Sequence, residues 1–284
     1  MSTESVPRIA RSRGPLCPID RLDELVEQTL PAVATIQVED GSGSGFVIGT
    51  PNKTLVATNQ HVVGDADDCS VAIGVHPLVA AHVVARDAGA DIALVALDLP
   101  NGVSVPSLTL RRHDDVRVGE PVMSIGSPLG FEATVSLGVV SAIGRYSGSP
   151  SEGARLQTDA LVHPGSSGGP LVGLDGFVVG MSTSVLSETR ISFALTTDVL
   201  GRVLTHMVGG DAPRRASLGI RVRQTSLDPE VAFLIGQRHA VEVTQVPDTL
   251  NTDGLRLEDS IVEMAGVKIN HPADLATSLL ATQP

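Results

Sequence analysis

PVMSIGSPLGFEATVSLGVVSAIG (residues 121–144) holds two short runs, PVMSIG and GVVSAIG, in which Val and Ile sit among small residues. β-Branched side chains suit a pleated sheet and Gly and Pro break one, so the stretch reads as two strands joined by a loop. The same texture continues outward in both directions. AVATIQV, GFVIG, TLVAT, VAIGV and IALVAL precede it, and FVVGMST and ISFAL follow, filling the chain from Ala32 to about Ala194. Many short strands at regular spacing predict a β-barrel or sandwich rather than a parallel α/β sheet.

Helical patterns flank this region. DRLDELVEQTL (20–30) predicts one short amphipathic helix with Asp20 as N-cap and Pro31 as its stop. TDVLGRVLTHMV (197–208) predicts a closing helix, and GGDAPRRAS (209–217) has the composition of a linker. Beyond it a smaller unit is expected, with a strand SLGIRVR, a polar middle, a strand AVEVTQV, the segment DSIVEMAGVKI and a helix in HPADLATSLLATQP. The expected division is a tail over 1–19, a main domain over 20–208, a linker over 209–216 and a second domain over 217–284.

Composition excludes several functions. The 284 residues are 42% hydrophobic, enough for a sizeable core, but only 2% aromatic with no Trp. Few rings are present on which bases could stack, and a net charge of −12 repels nucleic acid and anionic membranes alike, so neither is expected as a partner. Cys17 and Cys69 form no CxxC pair and lie near no cluster of His, so reduced thiols are expected and no metal or cofactor is. The N-terminal stretch has basic residues but no apolar segment behind them, and no apolar run reaches the roughly 18 residues of a membrane helix. A cytoplasmic location is therefore expected, with a periplasmic or extracellular one if a signal has been removed.

HPGSSGGP (163–170) carries the chemistry. A hydroxyl attacks a carbonyl usefully when a base takes its proton, a carboxylate orients that base, and donors receive the oxyanion. Ser167 is the candidate nucleophile, with Ser166 the competing hydroxyl. Gly168 and Gly169 let the backbone turn tightly, and the N–H groups of Gly165 and Ser167 are the candidate oxyanion donors. Of eight histidines, His61 in TLVATNQHVVG stands at the end of an apolar strand. Asp91 opens the apolar run IALVAL, where a carboxylate needs a partner, although a plain strand cap, as for Asp87 or Asp98, would also place it there.

The chain order His61, Asp91, Ser167 on an all-β framework is that of the chymotrypsin-like triad. TNQHVV, DIALVAL, GSPLGFEATVSLGVVSAIGR, TDALVHPGSSGGPLV and ISFAL resemble segments of the HtrA/Deg-type serine proteases. The resemblance covers about residues 22–206, and continues over 217–284 as that family's PDZ domain. It implies a chymotrypsin-like double β-barrel followed by a PDZ-like α+β domain that looks truncated, since the chain stops at TQP. It implies a serine endopeptidase acting on unfolded or flexible protein segments, with a catalytically silent, chaperone-like peptide-binding scaffold as the alternative.

The family's pattern further implies an S1 pocket with Leu161, six residues before the nucleophile, at its base and with Ile191, Phe193, Ala194 and Leu195 on its wall. Such a lining suits small aliphatic P1 residues. Leu218, Gly219 and Ile220, with Leu275 and Leu279, are implied as a groove for peptide C-termini, and a homotrimer is an implied assembly. Two departures stand out. Ser166 occupies the place where the family has Asn, and the loops 145–155 and 186–190, where the family senses activators, are short.

Overall fold

The computed structural model describes residues 9–10, 16, 18–39, 41–49, 54–99, 103–127, 134–145, 155–163, 165–185, 191–210, 218–246 and 254–280. They divide into two compact units, one ending at Gly210 and one beginning at Leu218.

The first unit opens with β1 (Ile9–Ala10) and helix α1 (Leu22–Thr29). Next come β2 (Val33–Val38), β3 (Gly41–Ile48), β4 (Leu55–Thr58), the single turn α2 (Gln60–Val63), β5 (Asp68–Ile73), β6 (Val79–Asp87) and β7 (Ile92–Leu97). Strands β2-β3-β4-β7-β6-β5 close into a six-stranded barrel. The chain then runs through β8 (Leu110–Arg111), β9 (Pro121–Gly126), β10 (Thr134–Arg145), β11 (Arg155–Thr158), β12 (Pro170–Gly173), β13 (Val178–Val185) and β14 (Ser192–Thr196) to α3 (Thr197–Val208). Here β12-β9-β10-β11-β14 follow one another, and the pairing of β13 with both β12 and β14 closes a second ring of six. The protein is thus mainly β, with the double barrel that the strand spacing and the resemblance led us to expect.

The barrels are filled by the aliphatic runs. The first four residues of β7, Ile92 to Val95, are all at most 1% exposed, because a barrel strand covered on its outer face by another element is apolar on both faces. Outside the first barrel that cover is α3, whose Val199, Leu200, Val203, Leu204 and Met207 join the same core. The spacing is helical, and Thr196 Oγ1 caps the first turn by accepting from the Val199 N–H. Cys69 lies in this core as well. Burial, with a smaller contribution from Asp68, pushes its thiol up to about 11.

Local expectations fail in three places. Asp20 does not cap α1; it lies in a 3₁₀ turn (Ile19–Arg21), and Arg21 precedes the helix with no side-chain cap. Pro31 sits within a second 3₁₀ turn (Leu30–Ala32), where its missing N–H costs nothing, so the helical path tightens before it ends. Within the expected tail, Ile9–Ala10 pairs in parallel with β8, whose other edge is taken by β13.

The second unit holds β15 (Arg221–Ser226), α4 (Pro229–Ile235), β16 (His239–Gln245), β17 (Ser260–Ile261), β18 (Glu263–Met264), β19 (Val267–Lys268) and α5 (Pro272–Leu280). β15-β16-β17 form one sheet and β18–β19 a hairpin. Its core is Val241, Ile269 and Leu275, with Leu218, Val222 and Leu279 packed against it. The strand expected in SLGIRVR begins only at Arg221, since Gly219 at φ 65 breaks the extended path. The expected polar middle contains α4, with Asp228 accepting from the Glu230 N–H, Pro229 in its first turn and Gly236 at φ 62 after its end.

One buried charge network braces the second barrel. The Arg111 side chain is 1% exposed and pairs with Glu120 and with Asp175, at 3.0 Å, whose own side chain is fully buried. Removing one partner of a buried pair strands the other charge in a medium that solvates it poorly. Asp175→Ala is expected to cost about 3–5 kcal/mol in chemical denaturation. Asp114→Ala, which breaks the exposed Arg112–Asp114 pair, is expected to leave the unfolding midpoint unchanged.

Candidate active site

β4 delivers the first functional side chain. The strand ends at Thr58, Asn59 precedes the single turn α2, and Val62 and Val63 bury themselves in the first barrel's core. That packing turns His61 outward, its side chain 49% exposed. Arg86, from β6, fastens the chain just beyond: it donates to the carbonyls of Gly64 and Ala66 and pairs with Asp67.

Asp91 comes from the tight turn between β6 and β7, where Asp87 Oδ1 accepts from the Ala90 N–H at 3.0 Å. Its backbone has φ 56, a left-handed conformation that costs an ordinary L-residue on the order of 1–2 kcal/mol. Asn59 compensates. Fully buried, it donates from Nδ2 to the Asp91 carbonyl at 2.9 Å, while its Oδ1 has no partner among the described residues.

The Asp91 carboxylate gathers donors from both barrels. Oδ1 accepts from the His61 backbone N–H at 3.0 Å, and His61 Nδ1 lies 3.0 and 2.9 Å from the two oxygens. Thr183 Oγ1, on β13, donates to Oδ2 at 2.9 Å. An ionised carboxylate only accepts, so Nδ1 carries the proton and Nε2 of the neutral ring is the free acceptor. Burial opposes the charge on Asp91, but the hydrogen bond and attraction from His61, its backbone N–H and Thr183 outweigh burial and hold the carboxyl below the usual carboxylate range.

Ser167 meets this group through the same threonine, its Oγ donating to the Thr183 carbonyl at 3.2 Å. Thr183 therefore holds Asp91 with its hydroxyl and Ser167 with its carbonyl. Among the described residues no hydrogen bond joins Ser167 Oγ to the imidazole. The loop around Ser167 is strongly turned, with φ 96 at Gly165 and φ 86 at Gly168. A Cβ at Gly168 would stand 2.2 Å from the Ser44 carbonyl oxygen and 2.4 Å from Thr58 Oγ1, so only glycine fits. Ser166, the competing hydroxyl, is 5% exposed.

The loop's N–H groups divide into two kinds. Ser166 N–H donates to His163 O at 2.8 Å, Gly168 N–H to Ser182 O at 2.7 Å and Gly169 N–H to Ser166 O at 3.0 Å. Those of Gly165 and Ser167 have no partner among the described residues.

The remaining expected sites fare unevenly. Leu161 is 42% exposed, with its N–H donating to Ser136 Oγ, so it is available to a bound group. Ala194 and Leu195 are not: Ala194 packs in the second barrel's core and Leu195 in the first's, because neighbouring residues of a strand face opposite ways and both faces of β14 are covered. Phe193 is 7% exposed and Ile191 partly buried. Leu275 likewise belongs to the second unit's core, while Leu218, Ile220 and Leu279 are only partly buried and Gly219 is exposed. Residues 146–154 and 186–190, within the stretches expected as sensor loops, lie outside the described residues. Thr183, Asn59 and Arg86 were missed, since a hydroxyl, an amide and a guanidinium acting on backbone or across barrels leave no spacing signature.

Comparison with known proteins finds serine-protease relatives. Residues 43–181 match the family described as "Trypsin-like peptidase domain". The "Probable periplasmic serine endoprotease DegP-like" of Pseudomonas fluorescens is 34% identical over 239 residues, covering 82% of this chain and 49% of that protein. "Serine protease HTRA1B" of Danio rerio is 33% identical over 287 residues, covering 90% of this chain and 58% of that one. The chain spans about half the length of the curated relatives it matches. Among solved structures, "HtrA-type protease AlgW with tripeptide" superposes with a TM-score of 0.75 at 29% identity, covering 92% of this chain and 89% of the other. The same protease with decapeptide gives 0.73 at 26%, covering 92% and 91%. The bacterial relatives are named periplasmic, which overturns the cytoplasmic location expected here. That expectation rested on the composition of residues 1–20, which is not evidence of compartment. No helix among the described residues is long and apolar enough to cross a membrane.

The Asp91 geometry has a pH signature. A carboxyl whose folded pKa lies below its unfolded value of about 3.9 adds stability that is present above that value and lost as pH falls through the folded pKa. Thr183→Val removes one of its donors and is expected to cost about 1–2 kcal/mol at neutral pH. The difference from the parent chain should shrink toward zero as the carboxyl protonates, which urea denaturation from pH 7 down to pH 2 checks.

Proposed function

We propose that the chain is a serine endopeptidase of the HtrA type, working through His61, Asp91 and Ser167. The observation that carries this reading is the continuous set of hydrogen bonds from His61 to Asp91, to Thr183 and on to Ser167. Ser167 Oγ turns from the Thr183 carbonyl toward Nε2 of His61 and attacks the scissile carbonyl. The imidazole takes the hydroxyl proton and returns it to the leaving amine, while Asp91 holds the tautomer and stabilises the imidazolium. The free N–H groups of Gly165 and Ser167 receive the oxyanion. A silent peptide-binding scaffold is the second reading, favoured only by the rest position of Ser167 on the Thr183 carbonyl.

The proposed substrates are unfolded or flexible protein segments cut after small aliphatic residues. Leu161 stands where an acid would be needed to pair a P1 Lys or Arg, and a charged P1 group desolvated against it costs several kcal/mol. The solved relatives are titled with bound peptides. The second unit is proposed to be a PDZ-like domain. β15 lies at the edge of its sheet, paired on one side with β16, so a peptide C-terminus can add as a further strand near Leu218, Gly219 and Ile220.

Ser167→Ala is expected to lower turnover on reduced casein by roughly 10⁶-fold, whereas Ser166→Ala keeps most of it. Equal losses from both serines would move the nucleophile elsewhere. Mass-spectrometric mapping of the casein fragments is expected to place cuts after Val, Ala and Leu. Cuts concentrated after Lys and Arg would refute the apolar pocket while leaving the triad intact.

A further inference from the structure

Ser44 lies in GSGSG (41–45) on β3 of the first barrel, fully buried, and no part of the triad calls for it. Yet among the described residues it makes four hydrogen bonds, three of them to segments remote in sequence, including the loop that holds Ser167. Its hydroxyl donates to the Gly165 carbonyl at 2.7 Å and accepts from the Ser127 N–H at 2.8 Å. Its own N–H donates to the Ser167 carbonyl at 2.8 Å, and its carbonyl accepts from Thr58 Oγ1 at 2.6 Å, two residues before the turn that carries His61. The direction of the hydroxyl proton is fixed by chemistry, since a backbone N–H only donates and a carbonyl only accepts.

We propose that Ser44 is the positioning residue of the oxyanion loop, a latch on the first barrel that sets the two peptide planes beside the free N–H groups of Gly165 and Ser167. The two carbonyls it holds belong to those same two residues. Turning either carbonyl would rotate the neighbouring peptide planes and carry the N–H donors off the developing oxyanion. Glycine at 165 has no Cβ to resist such a turn, so restraint has to come from outside the loop. The Ser44 hydroxyl supplies it at Gly165, and the Ser44 N–H supplies it at Ser167. The inference rests on the proposed role of the Gly165 and Ser167 N–H groups as oxyanion donors.

The test uses the full chain with Ser44→Ala, which removes one oxygen, and Ser44→Cys, which keeps the bulk but has a weak donor. Kinetics are measured on a peptide amide ending in Val at P1, beside affinity for the matching peptide aldehyde, whose hemiacetal places an oxygen in the oxyanion site. Both variants are expected to lose about 10- to 100-fold in kcat and a similar factor in aldehyde affinity, less than the 10²–10³-fold for deleting a donor outright. KM should stay within about twofold, because substrate contacts outside the loop are untouched. Unchanged kcat and aldehyde affinity, a rise in KM alone, or failure of both variants to fold would overturn the proposal by making Ser44 dispensable, a substrate contact or a purely structural residue. Ser167→Ala, assayed in parallel, separates the two readings: if it stays active the proposed nucleophile is wrong, whereas an inactive Ser167→Ala beside an unimpaired Ser44→Ala refutes only the latch.

Discussion

A single carboxylate, that of Asp91, joins the parts of this molecule that have to meet. It is costly to place a charge at the seam of two apolar barrels, and the structure offsets that cost with the His61 ring, the His61 backbone N–H and the Thr183 hydroxyl. Two of those donors come from the first barrel and one from the second. The left-handed backbone at Asp91 is tolerated for the same reason: Asn59 fastens its carbonyl from below, so the side chain is aimed by a strained but fully supported turn. Strain held in this way at a functional position is a common form of preorganisation.

The second barrel's answer to Asp91 is Thr183, and its two-sided use makes the site economical. The hydroxyl faces the acid while the carbonyl receives Ser167. A glycine-rich loop on the second barrel then depends on β3 and β4 of the first for its shape, through Ser44 and Thr58. The proposed active site is therefore a property of the seam rather than of either barrel, tied by hydrogen bonds that cross the seam in both directions.

Much of this was legible from residues alone. IALVAL, PVMSIG and TDVLGRVLTHMV became β7, β9 and α3 with the expected ends, because period and apolar content act locally and strongly there. The order of His61, Asp91 and Ser167 was readable because it sits on a recognisable strand texture. Ser44, Asn59 and Thr183 were not, since their partners lie 121, 32 and 92 residues away and a polar residue in or beside a strand carries no mark of so distant a partner. Ala194 and Leu195, expected on one wall of S1, face opposite ways along β14, so they cannot both line one cleft. α4 falls in the expected polar middle although its signals are present: Asp228, Pro229 and Gly236 are a capping acid, a first-turn proline and a left-handed stop.

Cys69, packed into the first barrel, has a consequence for where such a protein can work. With its thiol pushed up to about 11, the thiolate, which is the species that exchanges with disulfides or is oxidised first, is disfavoured near neutral pH. The residue is also buried in the first barrel's core. Burial and the raised pKa together disfavour redox chemistry at Cys69.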